Sequence, residues 1–152
     1  MTKLFTDKCT IINQIPTSQT NRAKIAWKKH IITQCDIRNG FYDRSTDTMV
    51  YKAGSWEVLT KDWAKYLSPT WVDGGYYTIP DVDKDSYFTV GVGDLLVFAE
   101  ISDPAPTNTT EFNELRSKYE NMGGIITGHE VYIHFKPNGR PWNTNHIKII
   151  KG

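Results

Sequence analysis

Apolar and polar residues alternate along both ends of the chain, which is the spacing of strands that bury one face. The alternation is clearest between Ile31 and Ile37, where the apolar side chains fall mostly on odd positions. The segment 94–101 is nearly all apolar, as in a central strand that is buried on both faces. Strands are predicted over the segments 8–15, 24–38, 48–52, 94–101, 125–135 and 145–150.

Two turns join predicted strands. Asn39 and Gly40 stand between apolar flanks and accept the positive φ angles of a type I′ turn. They predict a hairpin in which the second arm, starting at Phe41, returns along the strand 24–38. A second turn is predicted at 137–139, before the last strand.

The segment 56–67 has two interpretations. Leu59, Trp63 and Leu67 recur every four residues, which favours a helix. Trp56 and Val58 instead begin an alternation that continues to residue 60, which favours a strand. The helix is the preferred prediction, and the strand stays open.

A second helix is predicted over 111–122, with Phe112, Leu115 and Tyr119 on one face. Asn108 is the predicted N-cap. Gly123 and the glycine after it are the predicted C-terminal stop.

Few helices among many short strands indicate a mainly β fold, a small β-barrel or sandwich with one or two helices. The 152 residues form a single predicted domain, 1–152, with a long inter-strand loop at about 66–93.

Charge and cysteine content narrow the function classes. Eighteen Lys and Arg against seventeen Asp and Glu give a net charge of +1, not the basic excess of a nucleic-acid-binding domain. Cys9 and Cys35 lack CxxC spacing, so a reduced pair is favoured over a single bridge between neighbouring strands. The N-terminus has no signal-peptide pattern, and no apolar run has the length of a membrane span. The expected protein is soluble and intracellular.

The segment 66–93 is the most unusual part of the sequence, because it combines many aromatic residues with aspartates. Loops this long are usually functional or disordered, and disordered segments are poor in aromatic residues. We therefore predict a segment that buries its rings on another molecule, with a lid over the protein's own core as the alternative. Glycines at 74–75 and 91–93 bracket most of it and predict a hinge. The predicted interface residues are Tyr66, Trp71, Tyr76, Tyr77 and Tyr87.

Catalytic and metal-binding patterns are incomplete. Asp81, Asp83 and Asp85 open like a calcium loop, but Ser86 and Val92 stand where that loop needs glycine and glutamate. His129 and His134 are five residues apart on a predicted strand and so lie on opposite faces. We predict no catalytic residue, no cofactor and no metal. A small enzyme with a scattered site stays open, as does a monomeric binding module, which needs a basic aromatic groove.

The order of segments resembles a family of phage proteins. The sequence runs from TDKCTIIN through KIAWKKHIITQCDI and GDLLVFAEISD to a helix EFNELRSKY and a final NHIKIIKG. This layout resembles the head–tail connector proteins of tailed bacteriophages, and in outline the head-closure (stopper) type.

The resemblance implies a non-enzymatic virion protein of the neck, assembled in the host cytoplasm. It implies a homo-oligomeric ring, with portal and adaptor proteins above and tail-terminator and tail proteins below. DNA passes through the channel of such a ring without specific binding, and no membrane is involved. Under this resemblance, Asp81, Asp83 and Asp85 face the channel. A tail-terminator or adaptor role in the same neck is the alternative.

Overall fold

A computed structural model describes residues 5–16, 25–38, 41–43, 45–46, 48–50, 56–66 and 86–151. The strands are β1 (Asp7–Pro16), β2 (Ile25–Arg38), β3 (Phe41–Asp43), β4 (Thr48–Val50), β5 (Trp56–Thr60), β6 (Leu95–Val97), β7 (Gly123–Tyr132) and β8 (His146–Lys151). A 3-10 helix covers Asp62–Lys65, and the α-helix α1 covers Thr109–Lys118. Six strands close a barrel in the order β1-β2-β5-β8-β7-β6, with every pair antiparallel. The predicted mainly β fold is confirmed as a barrel.

The predicted hairpin after β2 is wrong in its pairing. Residues Cys35–Arg38 at the end of β2 pair with β5, and β3 pairs with β4 in a separate two-stranded sheet. β4 follows β3 along the chain after a few residues, so this pairing closes a short loop at little entropic cost. Asn39 and Gly40 lie outside the described residues.

The segment 56–60 is a strand, so the preferred helix prediction is wrong there and the alternative is confirmed. β5 pairs with β2 along one edge and with β8 along the other. Val58 and Thr60 are buried in the barrel. Pairing on both edges satisfies the backbone of this segment, and that outweighs the four-residue spacing of its apolar side chains.

Two apolar clusters form the core, and they lie on opposite faces of strand β6. The inner cluster fills the barrel, and its buried members are Cys9, Ile11, Ile32, Cys35, Val58, Phe88, Val90, Leu96, Ile126, Ile147 and Ile149. The outer cluster lies beneath α1, where Phe112 and Leu115 pack with Leu95 and Val97. β6 is shorter than predicted, but all three of its residues are buried, which confirms a strand covered on both faces.

The helix α1 has the predicted N-cap, but it begins at Thr109 instead of Glu111 and ends earlier than predicted. Asn108 accepts a hydrogen bond from the Glu111 amide at 2.8 Å, which confirms the N-cap. The helix ends at Lys118, and Gly123 opens β7 instead of stopping the helix. A Cβ at Gly123 would lie 2.1 Å from the carbonyl oxygen of Leu96, so the contact between β6 and β7 requires glycine.

No helix in the described ranges is long and apolar enough to cross a membrane.

Both cysteines are free thiols in the inner cluster, on the neighbouring strands β1 and β2. The Cys35 thiol donates to the Asp7 carbonyl at 3.2 Å. A hydrogen bond to Cys35 and burial together raise the pKa of Cys9 well above its usual value. A thiol in this environment stays protonated and unreactive near neutral pH.

Candidate functional site at the base of the 66–93 segment

The chain leaves the barrel at Tyr66 and returns to it beside the same residue. Tyr66 and Phe88 form a parallel β-bridge, and the Phe88 amide donates to the Lys65 carbonyl at 3.0 Å. Their ring centroids are 5.9 Å apart. The two stems of the segment are therefore held side by side, and the residues between them, 67–85, lie outside the described part of the chain.

A tyrosine–histidine pair fixes the first stem to β7. The Tyr66 hydroxyl is 2.8 Å from His129 Nε2, and the two rings pack with centroids 5.9 Å apart. Burial raises the pKa of Tyr66 to about 12 and lowers the pKa of His129. Both groups are then uncharged near neutral pH, so the pair is a hydrogen bond between neutral groups and supplies no phenolate nucleophile.

The second stem borders a polar cleft. Tyr87 is half-buried beside Phe88 and lines a cleft of about 310 Å³ between β2 and the 3-10 helix. Lys29, Asp62 and Lys65 line the same cleft. Tyr66 and Tyr87 thus belong to the base of the segment, and their role as contacts to a partner stays a prediction.

A buried carboxylate holds the end of the segment against β1. Asp94 is 3% exposed and accepts hydrogen bonds from Asn13 Nδ2 at 2.7 Å, the Gln14 amide at 2.8 Å and the Gly91 amide at 2.9 Å. Burial raises the pKa of Asp94 to about 6, although these three donors oppose the shift. Asn13 also donates to the Thr89 carbonyl at 2.8 Å. One polar cluster therefore joins β1, the second stem and the start of β6.

The glycines at 91–93 form a fixed turn. The Asp94 amide donates to the Gly91 carbonyl at 3.1 Å, and the Gly93 amide donates to the Ile126 carbonyl at 3.0 Å. The Gly93 carbonyl accepts from Gln14 Nε2 at 2.8 Å, and its φ of 98° is one that glycine adopts without strain. The predicted hinge is therefore not supported at this end, and its other end, at 74–75, lies outside the described residues.

Six of the predicted site residues belong to the stretch 67–85. Trp71, Tyr76, Tyr77, Asp81, Asp83 and Asp85 lie outside the described residues. His129 binds Tyr66, whereas the His134 amide donates to Asn145 Oδ1 at 2.8 Å, beyond the end of β7. Among the residues that the structure describes, no three His, Cys, Asp or Glu side chains are grouped to hold a metal ion.

A second exposed surface, not predicted from the sequence, lies on the hairpin between β7 and β8. Phe135 is 58% exposed and Trp142 is 46% exposed there, beside Lys136 and Arg140. The signal was present in the sequence, because residues 131–152 contain four Lys and Arg and no Asp or Glu. The balanced charge of the whole chain conceals this local excess.

No family model, no curated protein and no solved structure matches this chain. Its function is therefore inferred from its own residues.

Proposed function

We propose that this protein is a non-enzymatic, ring-forming subunit of the neck of a tailed bacteriophage, of the head-closure type. In this role it seals the DNA-filled head and links it to the tail. Portal and adaptor proteins lie above the ring, and tail-terminator and tail proteins lie below it. The proposal rests on the layout of the sequence and on the base of the 66–93 segment.

The observation that carries the proposal is that both stems of the segment are fixed at one place on a closed barrel. The Tyr66–Phe88 bridge and the Asp94 cluster anchor it, and the residues between the stems are rich in aromatics and aspartates. A segment anchored at its base is suited to reach a neighbouring subunit without disturbing the barrel. Rings form from heterologous contacts, and aromatic residues are enriched in interface cores.

The barrel interior restricts where DNA can pass. Ile11, Leu96 and Ile147 at its centre are 0% exposed, so side chains fill the barrel. In the proposal, the opening for DNA lies between the subunits of a ring and not inside one barrel. In the proposal, Asp81, Asp83 and Asp85 face this opening, where their charge keeps phosphates from adhering.

The tail-terminator and adaptor roles belong to the same neck and are the alternatives. A barrel with one α-helix in its described part fits head closure better than a mainly helical adaptor. Genes for portal, terminase and capsid proteins upstream, with tail genes downstream, would support a neck role, and a metabolic operon would count against it.

The direct test is native mass spectrometry of the purified chain, alone and with portal and adaptor proteins. We expect rings, and we expect a variant with Trp71, Tyr76 and Tyr77 replaced by serine to stay folded but monomeric. Loss of the aromatic contacts removes the apolar part of the proposed interface.

Trp142→Ser is the matched control, because it removes an exposed ring outside the segment. The control should assemble as the parent chain does. A parent chain that is monomeric with and without the portal and adaptor contradicts the proposal, as does a triple variant that assembles normally.

A further inference from the structure

The hairpin between β7 and β8 is held in one conformation by its own hydrogen bonds. The Lys136 amide donates to the Arg140 carbonyl at 2.8 Å, and the Trp142 amide donates to the His134 carbonyl at 3.1 Å. Asn145 is 2% exposed, and its side chain bonds both the amide and the carbonyl of His134, at 2.8 Å and 2.9 Å. The hairpin is therefore a preorganised support for the side chains that it exposes.

Three rings are exposed along this support. Phe135 and Trp142 flank the turn, and Tyr132 is 39% exposed at the end of β7. Trp63 packs edge-on against Phe135 at 6.2 Å, and His146 stacks on Tyr132 at 4.7 Å with an interplanar angle of 22°. Each contact steadies a ring and leaves part of it open to solvent.

The charge beside Phe135 and Trp142 is positive, whereas Tyr132 bonds the Glu130 carboxylate. Lys136 Nζ lies 5.2 Å from the centroid of the Trp142 ring, and Arg140 is at the other end of the turn. Neither cation has an ion-pair partner among the described residues. Two carboxylates on the neighbouring strands have other partners, since Glu57 binds Lys148 at 3.2 Å and Glu130 accepts from the Tyr132 hydroxyl.

From this arrangement we infer that the β7–β8 hairpin binds single-stranded nucleic acid. Exposed rings on a positively charged support are the means by which proteins hold single strands without sequence preference. Bases stack on Phe135 and Trp142, and phosphates contact Lys136 and Arg140. A purely acidic protein partner would form ion pairs with Lys136 and Arg140, but it has no flat ring to stack on Phe135 and Trp142. The inference does not depend on ring formation.

The experiment measures fluorescence anisotropy of a labelled oligothymidine with the full chain at low salt, and repeats it at increasing salt. We expect the logarithm of the association constant to fall linearly with the logarithm of the salt concentration. A duplex of the same length should bind less well, because paired bases cannot stack on the rings.

Two pairs of substitutions separate the rings from the charges. Phe135→Leu with Trp142→Leu keeps apolar bulk and should weaken binding about tenfold per ring lost. Lys136→Gln with Arg140→Gln should reduce the salt slope by about 1.4, since each phosphate contact contributes about 0.7 for a single strand. Arg116→Gln, on the exposed side of α1, removes one positive charge away from the hairpin and is the control; it should change neither quantity.

Three outcomes would overturn the inference. These are no binding at low salt, unchanged affinity in the leucine variant, and equal competition by polyglutamate of matched charge. The last outcome assigns the hairpin to an acidic protein partner instead. Circular dichroism of each variant verifies that the barrel is folded, so a lost signal is assigned to the hairpin.

Discussion

At the scale of single residues, Asp94 is the side chain on which several parts of the fold depend. Its two oxygens accept from the side chain of Asn13 and from the amides of Gln14 and Gly91. All three partners are donors. The side-chain NH2 of an asparagine at this position would therefore face another N–H group instead of an acceptor. The carboxylate is nevertheless buried, and burial raises its pKa from 3.8 to about 6.

This shift predicts a pH dependence of stability. The folded state holds the Asp94 proton more tightly than the unfolded chain, so its contribution is greatest near pH 4 and below. That contribution is lost as the pH rises to about 6, by on the order of 2–3 kcal/mol. Urea unfolding between pH 4 and 7 should show the free energy of unfolding of the parent chain falling relative to that of Asp94→Asn.

Asp103→Asn is the control for this measurement. Hydrogen bonds from Lys118 and Tyr119 lower the pKa of Asp103, so its titration lies below the same window. Its difference from the parent chain should be nearly constant between pH 5 and 7. A constant difference for Asp94→Asn as well would refute the assignment of the pH dependence to the buried carboxylate.

At the scale of elements, β7 packs closely against β6 because residue 123 is a glycine, which has no side chain. Gly123 pairs with Val97 at the end of the β6–β7 ladder. An added Cβ would lie 2.1 Å from the Leu96 carbonyl oxygen and 2.9 Å from the Val97 Cα, and both are backbone atoms. The backbone of one strand must therefore move for any larger residue to fit.

We expect Gly123→Ala to lower the free energy of unfolding by at least about 2 kcal/mol, because overpacking here displaces backbone. Gly128→Ala is the matched control in the same strand, where an added Cβ meets no atom within 4 Å. That variant should differ from the parent by about 0.5 kcal/mol or less. Chemical unfolding of both proteins gives the comparison, and equal stabilities would show that the β6–β7 contact relaxes freely.

The elements also show how far the sequence predicts this structure. Local signals located β2 and, through Asn108, the start of α1. The face of β2 that its alternation predicted is wrong in part, because Ile31 and Thr33 are exposed whereas Ile32 is buried. The strand at 56–60 was harder, since its identity depends on pairing with β2 and β8, which are distant in sequence. The prediction that Gly123 ends the helix is wrong for the same reason. The atom that leaves no room for a side chain at Gly123 is the carbonyl oxygen of Leu96, which is distant in sequence.

The candidate site was predictable in part. Composition identified the 66–93 segment, but not that Tyr66 and Phe88 meet or that His129 binds Tyr66, since these contacts join distant parts of the chain. The exposed rings of the β7–β8 hairpin were overlooked although Phe135 and Trp142 are close in sequence. A local count of charge identifies the basic segment 131–152 in which both rings lie, but not their exposure.

At the scale of the whole molecule, the described ends of the 66–93 segment belong to the barrel, since Phe88 and Val90 lie in its inner cluster. The six barrel strands pair with one another, and none of the described pairs uses residues 67–85. The bridge between Tyr66 and Phe88 brings the ends of this stretch together. The six strands therefore close the barrel without a strand from this stretch.

Replacing residues 67–85 with a Gly/Ser linker of about six residues should leave the barrel folded. A linker about threefold shorter costs less closure entropy, so we expect a gain in stability of about 1 kcal/mol. Thermal unfolding measures this, with a Gly/Ser segment of the original length as the control. Loss of cooperative unfolding in both variants would identify the stretch as a lid over the protein's own core.

The position of β8 between β5 and β7 has a consequence for synthesis on the ribosome. Both neighbours precede β8 along the chain, and each leaves an edge of unpaired amides and carbonyls until His146–Lys151 emerges. Such edges are templates for pairing with other chains. β8 is thus the last strand of the barrel to be made, and until it emerges from the ribosome the nascent protein keeps open edges at β5 and β7 that favour aggregation.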